Sequence, residues 1–320
     1  MTTLQQSIGV CTLMAASFVA SAVAAPQHSG LLALVPENAQ IVAGIEDPHN
    51  PDSHGRLLLV THNDNLDYED CVSITGVDSH RRVEEVIEAA ATSERGELAE
   101  HLVLLAGRFD QKRVFKAARQ NSARLVSYKG NEILVVDPLP RELNAMRDVR
   151  WLAILNDEVA IFGTQQMVSA AIDRAAERAD IDPALAEKIS RLRSDVNSWD
   201  VLAMPSDMLA RHFELGRMDA AWTAVLDSAD EVELGIRYGG KARVDFAVHS
   251  ASEKQTRAIA AVLDRPRLLL AAAGTRTKAH LTALSVNGAR VEGSIALPGN
   301  EFDNFLESFY RSRSEDSGSR

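Results

Sequence analysis

Cysteine is nearly missing from this chain. Two occur in 320 residues, Cys11 and Cys71. Cys11 falls in an N-terminal segment that reads as removable, so Cys71 alone remains and no internal disulfide framework can form. Positive charge is also in short supply: 34 Lys and Arg stand against 45 Asp and Glu, a net charge of −11. That balance argues against nucleic acid and anionic membrane as main partners, because both are met first by Lys and Arg on phosphate. The longest basic clusters, His80-Arg81-Arg82 and Arg311-Ser312-Arg313, are too short to reverse it. Catalytic signatures are missing too. No G-x-S-x-G, H-E-x-x-H, G-x-x-x-x-G-K-[ST] or G-x-G-x-x-G occurs. No catalytic residue is therefore assigned and no cofactor is expected.

What is present begins with 27 residues, "MTTLQQSIGVCTLMAASFVASAVAAPQ", without a charged side chain. The apolar stretch from Ile8 to Ala20 is shorter than the ~20 residues a helix needs to span a bilayer. Ala22 and Ala24 follow as an A-x-A site, so cleavage is expected after Ala24. Only the α-amino group supplies positive charge ahead of the apolar stretch. This pattern predicts a signal peptide over residues 1–24, no transmembrane segment after its removal, and a periplasmic or extracellular protein.

The whole chain is 46% hydrophobic and 25% charged, ordinary for a globular protein with a sizeable core. "AQIVAGI" at Ala39–Ile45, Val83–Ala91 and "HLVLLAGRF" at His101–Phe109 read as strands. Asp110 caps "QKRVFKAARQ", a helix with Val114 and Phe115 on one face. Hairpins are expected at Lys129-Gly130-Asn131, Asn156-Asp157 and Asn287-Gly288, residue types that accept positive φ. Thr164, Pro183 and Ser252 each sit where a helix begins. In "DEVELGIRYGGKARVDFAVHS", Val232, Leu234, Ile236 and Tyr238 alternate with Glu233 and Arg237. Val244, Phe246 and Val248 alternate with Arg243 and Asp245.

The order strand, helices, strand pair, helix, hairpin, helix occurs twice. The expected fold is therefore α+β: two tandem antiparallel-sheet domains with helices packed on one face, the repeated order suggesting a duplication. The boundaries are 25–195 and 196–312, with a disordered tail at 313–320. One continuous sheet is the alternative.

Residues 31–205 also carry a recognisable string. Gly44, Gly76, Asp78, Arg81, Arg82, Gly107-Arg108-Phe109, Tyr128, Gly130, Gly163 and Ile172-Asp173-Arg174 stand at its fixed points. In this the chain resembles a group of exported bacterial proteins of unknown function. The resemblance implies export and an α+β scaffold, and brings no activity, cofactor or site.

The chain departs from that string between Asp47 and Cys71, "DPHNPDSHGRLLLVTHNDNLDYEDC". His49, His54, His62 and Asp64 are its candidate metal ligands, the basis of an alternative reading as a metal-dependent hydrolase. On one continuous helix His54 and His62 would lie roughly 80° and about 12 Å apart, too far to share an ion. Asp-Pro, Asn-Pro and Asn-Asp-Asn are also plain turn chemistry, and that reading is preferred. Asp78, Arg81, Arg82 and Arg108 form either an Asp–Arg bridge or an anion site. Glu84, Glu85 and Glu88 read as a solvated face, and Cys71 as a core thiol. The preferred function is non-enzymatic binding or interaction, the partner being a protein or a small apolar ligand. A carrier or chaperone for an apolar ligand is the further alternative.

Overall fold

A computed structural model of the chain describes residues 30–46, 83–93, 98–120, 123–136, 149–192, 196–204, 225, 227–264 and 278–302. A 3₁₀ turn at Leu32–Leu34 precedes β1 (Ile41–Glu46), β2 (Val83–Thr92) and β3 (Leu98–Gly107). Helix α1 (Gln111–Gln120) leads to β4 (Arg124–Tyr128), β5 (Asn131–Val136), β6 (Arg150–Leu155) and β7 (Val159–Gly163). Helices α2 (Gln165–Glu177) and α3 (Pro183–Arg191) follow. Then come β8 (Ser198–Ala203), β9 (Glu231–Arg237), β10 (Lys241–His249), α4 (Glu253–Leu263), β11 (His280–Asn287) and β12 (Arg290–Pro298).

Local chemistry accounts for the boundaries. The Asp110 carboxylate accepts from Arg113 N at 3.1 Å and opens α1. Asp182 accepts from Leu185 N at 2.8 Å with Pro183 at the first helical position of α3. Ser252 accepts from Gln255 N at the start of α4. Thr164 precedes α2 as expected, but its hydroxyl donates to Glu100 on β3 instead of capping. The three expected hairpin turns carry positive φ at Lys129 and Gly130, at Asn156 and Asp157, and at Gly288.

All twelve strands belong to one antiparallel sheet, in the order β11-β12-β10-β9-β8-β1-β2-β3-β7-β6-β5-β4. The expectation of two separate sheets is corrected here. β1 pairs with β2 on one side and with β8 on the other, Ala43 opposite Asp200 and Gly44 opposite Trp199, so the sheet runs unbroken through its middle. Strands β1–β7 lie on one side of that seam and β8–β12 on the other.

The helices occupy both faces, which corrects the expectation of one. Alternate side chains of β1 divide the interior: Ile41, Ala43 and Ile45 join a core that includes Val114 and Phe115 of α1 and Ile259 and Leu263 of α4. Val42 joins a second core with Leu32 and Leu34 of the 3₁₀ turn, Met167 and Ile172 of α2 and Ile189 of α3. A sheet buried on both faces needs apolar residues in both phases of the alternation, and β3 supplies them in Leu102-Val103-Leu104-Leu105. Among the described residues, no helix is long and apolar enough to cross a membrane.

Candidate functional site

The seam of the sheet holds three buried polar side chains set among apolar neighbours. Glu88 on β2 and Asp200 on β8 are both register partners of Ala43, one on each side of β1. Their Cα atoms are thus two strand spacings apart, about 9–10 Å. Only the Ala43 methyl stands between them on that face. Ser198, two residues before Asp200, points to the same side opposite Ile45. The surrounding positions on this face are Ile41, Ile45, Val86, Ala90 and Leu202, all apolar and buried.

Glu88 and Asp200 are each 2% exposed and Ser198 is 3% exposed. Glu88 Oε1, Asp200 Oδ1 and Ser198 Oγ have no hydrogen-bond partner among the described residues. Burial pushes the Asp200 carboxyl up to about 7. Burial, and then the charge of Asp200, raises Glu88 well above the usual carboxylate range. Both carboxyls stand in an apolar setting with no cation beside them among the described residues, which favours their protonated forms. A buried polar group without a partner costs about 1–3 kcal/mol, so three together call for a guest or a proton-linked role.

A second cluster lies on the opposite face, where α3 meets the sheet. Glu231 and Glu233 share one face of β9, and His249 on β10 is the register partner of Glu231. His249 Nε2 is 3.4 Å from Glu233 Oε1 and 3.8 Å from Glu231 Oε1, distances open to a shared metal ion. The surrounding cations decide against it. Arg191 of α3 donates to Glu233 Oε1, Arg290 Nη2 stands 3.4 Å from Glu233 Oε2, and Lys188 Nζ stands 2.7 Å from Glu231 Oε2. Glu231 and Glu233 are already paired by these three cations, while Glu187 and Glu292 pair with Arg191 and Arg290 in turn, so a divalent ion would have to displace ion pairs that are already made. Burial alone would raise Glu233, but His249 and Arg191 outweigh it and bring the carboxyl down to about 2. The cluster clamps α3 to β9.

Several of the recurring positions resolve into scaffold. The Tyr128 hydroxyl donates to Asp173 at 3.1 Å, and Lys129 Nζ lies 2.8 Å from the same carboxylate, tying the β4–β5 turn to α2. The lysine's hydrogen bond holds Asp173 below the usual carboxylate range. Arg174 donates to the carbonyls of Ala33 and Asp180, joining α2 to the N-terminal turn. A Cβ on Gly44 would sit 2.4 Å from the Trp199 indole, and one on Gly163 would sit 2.1 Å from the His101 carbonyl. Both glycines are required by close approach.

His49, His54, His62, Asp64, Asp78, Arg81, Arg82 and Cys71 lie outside the described residues, and Arg108 is exposed just beyond β3. The solvated-face reading is corrected for Glu88, which points into the core while Glu84 stays exposed. Asp200 and Ser198 belong to no motif in the sequence. The available signal was an aspartate inside "SWDVLA", an otherwise apolar strand.

No family model and no curated protein sequence matches the chain. A solved structure, that of crystal form I of TP0453, is similar to it with a TM-score of 0.50, over 87% of this chain and 97% of that one. At 13% sequence identity the likeness is one of fold alone.

Proposed function

We propose that the chain is an exported binding protein whose ligand site is the seam of the sheet. The observation that carries this reading is the set Glu88, Asp200 and Ser198: three nearly fully buried polar side chains on one apolar face, without partners among the described residues. An apolar surface with a few convergent polar groups is the usual composition of a small-molecule site. The fitting ligand has an apolar body, to lie on Ile41, Ile45 and Leu202, and an end bearing hydrogen-bond donors, to meet the two carboxyls and the hydroxyl.

Export rests on the uncharged N-terminal 27 residues and their A-x-A site, which agree with the group of exported bacterial proteins the chain resembles. A duplication is supported by the order of elements. β1-β2-β3-α1 and β8-β9-β10-α4 run alike, each followed by a hairpin whose last strand, β7 or β12, returns to pair with β3 or β10. The first half carries one extra hairpin, β4–β5.

Native mass spectrometry of the full chain, purified without denaturation from the exported fraction of its producing cell, tests the binding reading. A co-purifying small molecule that is lost in the folded Glu88→Gln/Asp200→Asn double variant is expected. A wild-type protein carrying only polypeptide mass, or a guest retained equally by the variant, sinks it.

A further inference from the structure

The two edges of the sheet are built differently. β4, at one end, is five residues long, carries Arg124 and runs into Lys129. β11, at the other, is eight residues long, "HLTALSVN", with no Lys, Arg, Asp, Glu or Pro. Edge strands are usually guarded by charge, proline, shortness or a bulge. β11 has a bulge between Leu281 and Ala283, but Ala283–Asn287 beyond it runs in unbroken register with β12. That segment also displays Val286, 42% exposed and among the most exposed large apolar side chains described.

We infer that β11 is the interface of a symmetric homodimer, formed by antiparallel pairing of Ala283–Asn287 with the same segment of a second copy. This rests on the edge strand and is independent of the ligand site. The segment is self-complementary. A two-fold axis at Ser285 sets Ser285 opposite itself and Leu284 opposite Val286 of the second copy, twice over. Ala283 then meets Asn287. Leu284 and Val286 share the α4 side of the sheet, where Leu284 already packs against the core. Beside Val286, a shallow groove of about 360 Å³ runs between α4 and the β11–β12 turn, lined by Glu253, Arg257, Ala260, Val286 and Gly288. Its two charges form an exposed i,i+4 pair at 3.0 Å. Such a pair is electrostatically complementary to its own antiparallel copy, so the dimer axis creates no like-charge clash at the groove. A two-fold join uses β11 on both copies and leaves, among the described strands, the guarded β4 edges free, so the assembly closes at two. A charged peptide is disfavoured as occupant, because β11 offers no charge to select it.

Sedimentation of the full chain across a wide concentration range and disulfide trapping together test this. In a Cys11→Ser/Cys71→Ser background, Ser285→Cys is expected to give a disulfide-linked dimer on mild oxidation, and His280→Cys, beyond the bulge, is not. Val286→Lys is expected to weaken the dimer up to about thirtyfold, about fivefold for each of the two equivalent cross-strand pairs, with the circular dichroism spectrum unchanged. Three results overturn the inference: a monomer at all concentrations, equal trapping at positions 280 and 285, or a dimer indifferent to Val286→Lys. A dimer trapped through neither position would place the interface elsewhere.

Discussion

Replacing Asp200 with Asn should stabilise the protein above neutral pH, the reverse of what removing a native side chain usually does. The carboxyl ordinarily titrates near 3.8, and burial moves it up to about 7. Between those values the folded state keeps a proton that the unfolded chain has released, so the folded state binds more protons and stability falls as pH rises. At 1.36 kcal/mol per pH unit the full loss is about 4 kcal/mol, complete once the pH passes about 7. About 2.5 kcal/mol of it falls between pH 5 and pH 8. Asn has the same shape and never ionises. The variant should therefore gain about 2.5 kcal/mol on the wild type between those two pH values, seen as a urea-midpoint difference of about 1 M for an m-value near 3 kcal/mol/M. It also removes the charge that pushes Glu88 upward. The measurement is urea unfolding of ligand-free wild type and Asp200→Asn in parallel from pH 5 to pH 8. Titrating groups other than Glu88 cancel in the difference between the two proteins, and the relief of Glu88 adds to the gain of the variant at high pH. A difference that stays constant with pH, or one that favours the wild type more at pH 8, would refute the reasoning.

The clamp under α3 behaves oppositely with acid. The Glu233 carboxyl is held down to about 2, so its stabilisation is whole above its ordinary 4.5 and is lost as pH falls toward 2. Arg191→Ala removes one partner of a fully buried carboxylate while Arg290 remains, and should cost about 3 kcal/mol at neutral pH. In urea titrations the further loss below pH 4.5 should shrink in the variant, and an unchanged acid limb would refute the assignment. Gly44→Ala inserts a methyl 2.4 Å from the Trp199 indole and should cost about 1–3 kcal/mol with a shift in tryptophan emission. A silent substitution would mean that the two central strands pack more loosely than described.

The β9–β10 hairpin was legible residue by residue. Val232, Ile236, Phe246 and Val248 lie on one face and Glu233 and Arg243 on the other, as the alternation in the sequence requires, although the burial of Glu233 under α3 was not legible. The turns at Lys129-Gly130, Asn156-Asp157 and Gly288 were equally legible, because positive φ restricts residue choice locally. Glu88 was not. It stands in "VEEVIEAAAT" with Glu84 and Glu85, and nothing within the strand distinguishes the buried carboxylate from the exposed one. What brings a second buried carboxyl, Asp200, to its face of the sheet across β1 is a strand more than a hundred residues later in the chain.

The sequence by itself determined the elements that depend on near neighbours: strand phase, helix caps, turn positions and the uncharged N-terminal segment. The tertiary structure alone decided that β1 pairs with β8, that one sheet replaces two, and that helices cover both faces. It also decided that Glu88 and Asp200, 112 positions apart by their numbers, flank one alanine. The physical reason is range. Propensity and capping act over a few residues and leave their marks in local composition. Strand pairing across a seam is set by which faces can be buried together, and a carboxylate's neighbours follow from that choice.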